Sequence, residues 1–368
     1  LLADKAPPTV CNHPLESTKE INLTIPGKTE GRTPLVIDVM KRFKEAVGET
    51  TALYGLVCGP FTLASHLRGT NIFMDMYDDP NYVKELMRFT TEVAKAFADY
   101  YIDAGMDIIG AVDPLVSQIS PDSFKEFISE PYADFFAHVR SRDVYSSFFV
   151  CGDATKNLEV MSETKPDCLS IDENIDIAAA KKITDSYGIT ISGNIQLTVM
   201  MLLGTQQDCQ KSAIEKIDQM GTKGFILAPG CDMPFDVPKA NVIGVAQAAQ
   251  NYEATKKAIA NYTAEAFNID VELPDYANLE KPLIEVFTID SATCAACGYM
   301  KAAADEMLSE FPGQVDIVER KITEAENIAR LGKMGIANLP TIAINGEVKY
   351  ISLIPNREEL KAAVKALL

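Results

Sequence analysis

Two groups of residues in this chain have types and spacing that suit chemistry. The first is Cys294-Ala295-Ala296-Cys297, a Cys-x-x-Cys pair. It follows an apolar, strand-like run, residues 283–288, and opens a helical segment at residues 298–310. The partial positive charge at a helix N-terminus favours thiolate, so Cys294 is the expected nucleophile and Cys297 the resolving thiol of a thiol–disulfide couple. A Cys-x-x-Cys pair is also half of many zinc sites, but no second such pair and no Cys/His pair follows in this segment. A redox-inert docking element is the lesser alternative. The second group is Cys58, Cys151 and Cys231, each placed where an apolar run ends, with Asp113, Asp153, Asp172 and Asp232 in comparable positions. Such thiols can ligate a metal, and such carboxylates can act as acids, bases or supports for ligands. Plain packing also accounts for a cysteine, and helix capping near Ile175 for Asp172. Asp172 and Asp153 are the carboxylates expected to take part. Gly193 permits a tight strand exit, and Asn194 can hydrogen-bond a substrate.

The elements that must position these residues form a repeating pattern. From about residue 50 to 255, apolar strands near 52–57, 107–111, 145–150, 168–171, 189–192 and 224–228 alternate with helical stretches near 80–105, 121–140, 175–187 and 207–221. In the first of these helices Val83, Leu86, Met87, Val93 and Phe97 recur at helical spacing. Alternating strands and helices predict an α/β fold with a parallel sheet, either doubly wound or a barrel. In a barrel the strand ends converge on one face, and five of these six ends carry a carboxylate or a thiol. No glycine-rich phosphate loop is present, which disfavours a nucleotide-binding doubly wound fold. Residues 263–281, acidic and carrying Pro274, read as a tether between a domain at 1–262 and a second at 282–368. In the second domain Leu339-Pro340-Thr341 precedes a strand, and Asn345-Gly346 turns it into a hairpin.

Bulk properties narrow the function classes. The 368 residues suffice for two domains. A net charge of −18 argues against nucleic acid and anionic membrane surfaces as partners. No apolar run is long enough to span a bilayer, and residues 1–20 lack a signal-peptide pattern. Eight scattered cysteines fit a reducing compartment, so the expected location is the cytoplasm. The chain begins with Leu1, which hints at a preceding segment.

The order strand, Cys-x-x-Cys, helix, strand, helix, X-Pro, hairpin, helix resembles the thioredoxin/glutaredoxin fold over roughly residues 282–368. The resemblance implies a cis Pro340 lying against the dithiol. The strand-end segments Gly59-Pro60-Phe61-Thr62, Ile119-Ser120-Pro121, Phe149-Val150-Cys151-Gly152-Asp153, Leu169-Ser170-Ile171-Asp172, Ser192-Gly193-Asn194-Ile195 and Ala228-Pro229-Gly230-Cys231-Asp232 resemble the uroporphyrinogen decarboxylase superfamily, in particular its cobalamin-dependent methyltransferase branch. This resemblance implies a (β/α)8 TIM-barrel-like domain whose first two strands have no counterpart here. Either about 80–100 residues belong ahead of Leu1, enough for two strand–helix units, or the barrel is incomplete. It implies a zinc site with two cysteine ligands at Cys151 and Cys231. Phe149 stands at the position of the family's histidine ligand, which leaves Cys58 as the best third ligand and Asp113, Asp153 or Asp172 as alternatives. It also implies transfer of a methyl group from a methylated cobamide, free or held by a corrinoid protein, to a small thiol. The thioredoxin-like domain would keep the thiols reduced, reduce an inactive corrinoid, or present its own thiol as acceptor. Two other readings stay open. One is a tetrapyrrole decarboxylase, for which only Arg68, Arg88, Arg140 and Arg142 are present within residues 50–255. The other is a non-catalytic corrinoid- or metal-binding redox sensor.

Overall fold

The computed structural model describes residues 10 and 12–368, apart from 235, 264–268, 293–294, 337–338, 352, 356 and the side chains of 295 and 296. In chain order the elements are α1 (Thr33–Val47), β1 (Tyr54–Cys58), α2 (Pro60–Arg68), α3 (Asn71–Asp78), α4 (Pro80–Asp103), β2 (Ile108–Val112), α5 (Pro121–Phe127), α6 (Ser129–Ser141), β3 (Tyr145–Val150), α7 (Leu158–Glu163), β4 (Cys168–Ile171), α8 (Ile177–Ser186), β5 (Thr190–Ile195), α9 (Gln206–Met220), β6 (Phe225–Pro229), α10 (Lys239–Gln250) and α11 (Tyr252–Ala258). There follow β7 (Leu283–Thr288), α12 (Ala295–Glu310), β8 (Asp316–Lys321), α13 (Ala325–Lys333), β9 (Thr341–Ile344), β10 (Glu347–Ile351) and α14 (Arg357–Lys365). Leu197–Leu202 is a π-helical turn. Proline opens α2, α4 and α5, where its missing N–H costs no hydrogen bond. The single helix expected over 121–140 is instead two, α5 and α6. Pro131 cannot donate to the carbonyl four residues back and crowds it, so the chain breaks at Ile128. No helix among the described residues is long and apolar enough to cross a membrane.

The strands form two sheets. One has the order β1-β2-β3-β4-β5-β6, with β1 to β5 paired in parallel. This α/β architecture is TIM-barrel-like, with six strands where a complete barrel has eight. Period-two alternation sorts the side chains. Val57, Ile109, Ala111, Phe148, Val150, Leu169 and Ile171 are buried on one face. On the other, Tyr54 and Leu56 of β1 stay 40% and 47% exposed, because β1 is an edge strand.

The described residues form two compact units, one of Val10–Gly193 with Thr222–Ile226 and the other of Asn194–Gly221 with Leu227–Leu368. The second unit contains the other sheet, of order β10-β9-β7-β8, with β7 parallel to β8 and antiparallel to β9. Asn345 and Gly346 have φ of 47° and 77°, as a two-residue hairpin turn between β9 and β10 requires. Ile284, Val286, Met300, Met307, Ile342 and Leu360 form its core. The Leu339–Pro340 peptide bond is cis.

The acidic stretch 263–281 is not wholly a tether. Lys333 Nζ donates to Asp270 Oδ1 at 2.7 Å and to the Val271 carbonyl at 2.6 Å. Tyr276 donates its hydroxyl to Glu285 Oε2 at 2.6 Å. Glu285, on β7, is completely buried. It also pairs with Arg320 at 2.8 Å and Arg330 at 3.7 Å, so a strap from the preceding segment is fastened to an internal ion cluster. Removing one member of a buried ion pair strands the others. Glu285→Ala is therefore expected to cost about 3–5 kcal/mol of stability, measured by urea unfolding; a cost under about 1 kcal/mol would show that the cluster is solvated.

Candidate functional site

The strand ends of the first unit are organised around Asp113, just beyond β2. Its carboxylate is fully buried and accepts from Phe61 N (2.9 Å), Thr62 N (3.0 Å), Thr62 Oγ1 (2.6 Å) and the Tyr132 hydroxyl (2.5 Å). The two amides lie in the first turn of α2, where a helix attracts anions. Gly59 is required here, since a Cβ on it would stand 2.4 Å from Asp113 Cβ and 2.5 Å from the Tyr132 hydroxyl oxygen. Burial pushes the Asp113 carboxyl up to about 6, against four hydrogen bonds that favour the anion. With these donors in place, Asp113 is a structural clamp. It is not the metal-ligand alternative that the sequence allowed.

Strand register lines up two rows on the sheet face that carries Tyr54 and Leu56. Cys58, Val112, Phe149, Ser170 and Ser192 are neighbours across β1 to β5, and one step below them lie Leu56, Gly110, Ser147, Cys168 and Thr190. Phe149 therefore stands in the same row as Cys58 and adds an apolar wall there. Cys58 is exposed to solvent, although protein atoms are packed around its thiol. Burial, with the Asp113 charge adding, pushes its thiol up to about 12. Cys168 and Cys209 are buried free thiols, each pushed up to about 11 by burial. The histidines lie elsewhere: His13 contacts the His66 carbonyl, and His138 pairs with Asp99 of α4.

Beyond β4, Asp172 is buried and accepts from Gly152 N (2.7 Å), Asn174 N (2.9 Å) and Asn174 Nδ2 (2.7 Å). It thus fixes the loop that follows Cys151 and, within its own loop, binds Asn174. Burial, with Asp153 adding, raises its carboxyl above the ordinary range. Asp153 accepts from the Thr155 amide (3.0 Å) and hydroxyl (2.6 Å), closing a local turn. Gly193 has φ of +139°, and a Cβ there would stand 2.9 Å from the Ile171 carbonyl oxygen, so the strand exit demands glycine. In the second unit, Asn194 is buried and Cys231 is half-buried.

The expected zinc site is not assembled. Cys151 and Cys231 are both disulfide-bonded, so their sulfurs are not available as thiolates. Cys58 would have to lose a proton from a thiol near 12. No group of three or more His, Cys, Asp or Glu side chains placed to hold a metal occurs among the described residues. In this oxidised form the residues do not fit a zinc ion.

The other thiol pair lies at the end of β7. Cys294 is outside the described residues. Cys297, in α12, is completely buried and disulfide-bonded. Glu319 of β8 accepts from Thr288 Oγ1 (2.6 Å) and Ser291 N (2.9 Å), and Lys321 pairs with Asp290 at 2.8 Å. Burial opposes charge on Glu319, but these hydrogen bonds outweigh it and hold the carboxyl below its ordinary range. Side chains of β8 thus pin the loop that leads to the Cys-x-x-Cys pair. Pro340 is buried beside β9. Sequence reasoning missed Thr62, Tyr132, Glu285 and Glu319. Each lies in an amphipathic or strand-like run whose pattern carries no sign that a polar atom will meet a partner dozens of residues away.

The uroporphyrinogen decarboxylase (URO-D) family profile matches residues 2–252. The chain belongs to this family. Its similarity extends to the methylcobamide:CoM methyltransferase MtbA of Methanosarcina acetivorans, 27% identical over 253 residues, which is 68% of this chain and 73% of that one. MtaA of Methanosarcina barkeri, also described as a methylcobamide:CoM methyltransferase, is 30% identical over 228 residues, 61% of this chain and 65% of that one. The uroporphyrinogen decarboxylase of Trichodesmium erythraeum is 25% identical over 251 residues, 66% of this chain and 69% of that one. Among solved structures, a methyltransferase from Methanosarcina mazei superimposes with a TM-score of 0.60 at 25% identity, covering 67% of this chain and 72% of that one. The four-stranded sheet begins at Leu283, beyond the residues matched by the family profile.

Two outcomes follow from the site geometry. Tyr132→Phe keeps the ring stacked on Phe148 at 4.2 Å and deletes one hydrogen bond to a buried carboxylate. It is expected to cost about 1.5–3 kcal/mol in denaturant unfolding. Cys58 is expected to react with iodoacetamide at pH 8 on the order of 10^3-fold more slowly than free cysteine, because so little of it is thiolate. Labelling at the free-cysteine rate would contradict a thiol held so far from ionisation.

Proposed function

We propose that the chain is a corrinoid-dependent methyltransferase that moves a methyl group from a methylated cobamide to a small thiol, and that its C-terminal unit is a dithiol redox module. The observation that carries the first part is the pair of cysteines, Cys151 directly after β3 and Cys231 two residues after β6, in a chain similar over most of its length to methylcobamide:CoM methyltransferases. In such a transfer the acceptor sulfur must be a thiolate. It takes the methyl carbon, and the cobamide keeps the bonding electron pair. The chain's own contribution is to hold the reactants on the sheet face where Cys58, Val112, Phe149, Ser170 and Ser192 form one row, the first three offering apolar and thiol surface and the serines hydroxyls for hydrogen bonds. Zinc bound by Cys151 and Cys231 would further lower the acceptor's pKa, and only the reduced form of the two cysteines offers it ligands. The redox module is supported by the Cys-x-x-Cys spacing, by disulfide-bonded Cys297 in α12, and by the cis Leu339–Pro340 bond that precedes β9.

The decarboxylase reading needs cations to receive a polycarboxylate. Arg68 is tied to Asp75, Arg140 to the Lys165 carbonyl, and Arg142 to Asp99 and Asp103, while Arg88 lines a groove on α4 with Glu126 and Phe127. All four sit in or beside helices away from the strand ends, which favours the methyltransferase. The test is to incubate the reduced chain with methylcobalamin and coenzyme M, following the corrinoid spectrum and thioether formation by mass spectrometry. Thioether is expected, with a loss of about tenfold or more in Cys231→Ser. Decarboxylation of uroporphyrinogen without thioether would replace this reading by the second.

A further inference from the structure

We propose that α1 is a dimerisation helix, whose exposed apolar ridge packs about a two-fold axis against the same ridge of a second copy of this chain. The proposal is independent of methyl transfer.

A helix of this length is marginal in water unless one of its faces is covered. α1 has fifteen residues, and Thr33 is its one buried residue. The helix lies along α4, with Val36, Ile37, Met40 and Lys44 half-buried. Lys44, in its last turn, pairs with Asp107 at 2.8 Å. These contacts hold one side of α1 and leave another side uncovered. There Leu35, Val39, Phe43 and Val47 are 63%, 40%, 56% and 37% exposed. Their spacing of four residues makes them one continuous ridge. Single exposed apolar residues are ordinary, whereas a contiguous row of them marks a contact surface.

Three features identify a second copy as the occupant. The first is the shape of the ridge. Rows of i±4 residues on two helices interlock at a crossing angle of about −50°, the commonest helix packing, so the ridge fits its own duplicate. With Val39 near the axis, Leu35 of one copy meets Phe43 of the other, and symmetry supplies the reverse contact. The second is charge. Beside the ridge, Asp38 and Arg42 form an exposed ion pair at 2.9 Å. The same two-fold axis brings Asp38 of each copy towards Arg42 of the other, so this flank is neutral and complementary to itself. The third is area. At roughly 150–200 Å² per whole residue, these exposed fractions leave on the order of 350 Å² of apolar surface on each ridge. A small stable interface of about 1,200 Å², a little over half of it apolar, needs about what two such ridges supply.

The experiment measures the full chain by sedimentation velocity over a range of ~1–200 μM. A reversible dimer is expected. Val39→Glu sets two carboxylates against each other at the axis and is expected to weaken association by about a hundredfold or more. Glutamate is a better helix former than valine, so a lost dimer is not a lost helix, and circular dichroism checks this. Asp38→Arg and Arg42→Asp are each expected to weaken association about tenfold, and the double variant Asp38→Arg/Arg42→Asp to return it to within about threefold of wild type. A monomer at every concentration would overturn the proposal, as would a dimer that Val39→Glu leaves unchanged. Single charge swaps without effect would overturn the two-fold arrangement. A monomer that co-sediments with phosphatidylcholine–phosphatidylglycerol vesicles, and no longer does so as Val39→Glu, would overturn it in favour of a lipid surface.

Discussion

The buried carboxylate of Asp113 is the interaction on which the first unit depends. It joins four elements at one point. It follows β2, binds the opening turn of α2, which leaves β1, and receives the hydroxyl of Tyr132 from α6. Tyr132 in turn stacks on Phe148 of β3. A helix N-terminus attracts an anion, so one carboxylate satisfies amides that would otherwise be stranded beneath the site. Burial opposes that charge, and glycine at position 59 lets the chain pack directly against the carboxylate. The result is a rigid rim from which Cys58 and the loops beyond β2 project.

On that rim the chemistry depends on the electronic state of sulfur more than on which residues are present. Three of the described cysteines are protonated thiols held far from ionisation, and three are in disulfides. None of these forms is a good ligand or nucleophile at neutral pH. The carboxylates nearby hold the loops around them. Asp172 holds the amide of Gly152, next to Cys151, and Asp153 closes the turn after it. The methyl transfer to a thiol proposed above would need the strand-end cysteines in their reduced form.

The second unit solves a different problem. Glu285 places a charge in the middle of a small α/β core, where it is tolerable because Arg320, Arg330 and Tyr276 meet it. Tyr276 lies outside the sheet's own elements, so the ion cluster ties part of the acidic connecting segment to the unit. At the other end of β7, Glu319 and Lys321 hold the loop ahead of the dithiol.

The sequence by itself determined the element order. Alternating apolar runs and helical periodicity located β1 to β6 within a few residues, because those patterns are local. The Asn345-Gly346 turn was legible for the same reason, since it needs positive φ at two adjacent residues. Strand-end thiols and carboxylates were legible as a set, because parallel strands carry their ends to one side. Tertiary structure alone decided what each one does. Asp113 and Asp172 read as possible ligands, acids or bases, and long-range partners made them clamps: Phe61, Thr62 and Tyr132 for the first, Gly152 for the second. Cys151 and Cys231 read as metal ligands by resemblance, and that each is disulfide-bonded is nothing that spacing along the chain encodes. The break at Ile128 was within reach of the sequence, in Pro131, but helical periodicity on both sides concealed it. Local pattern fixes where a side chain can point. Its protonation and bonding are fixed by partners that only the folded chain brings within a few ångströms.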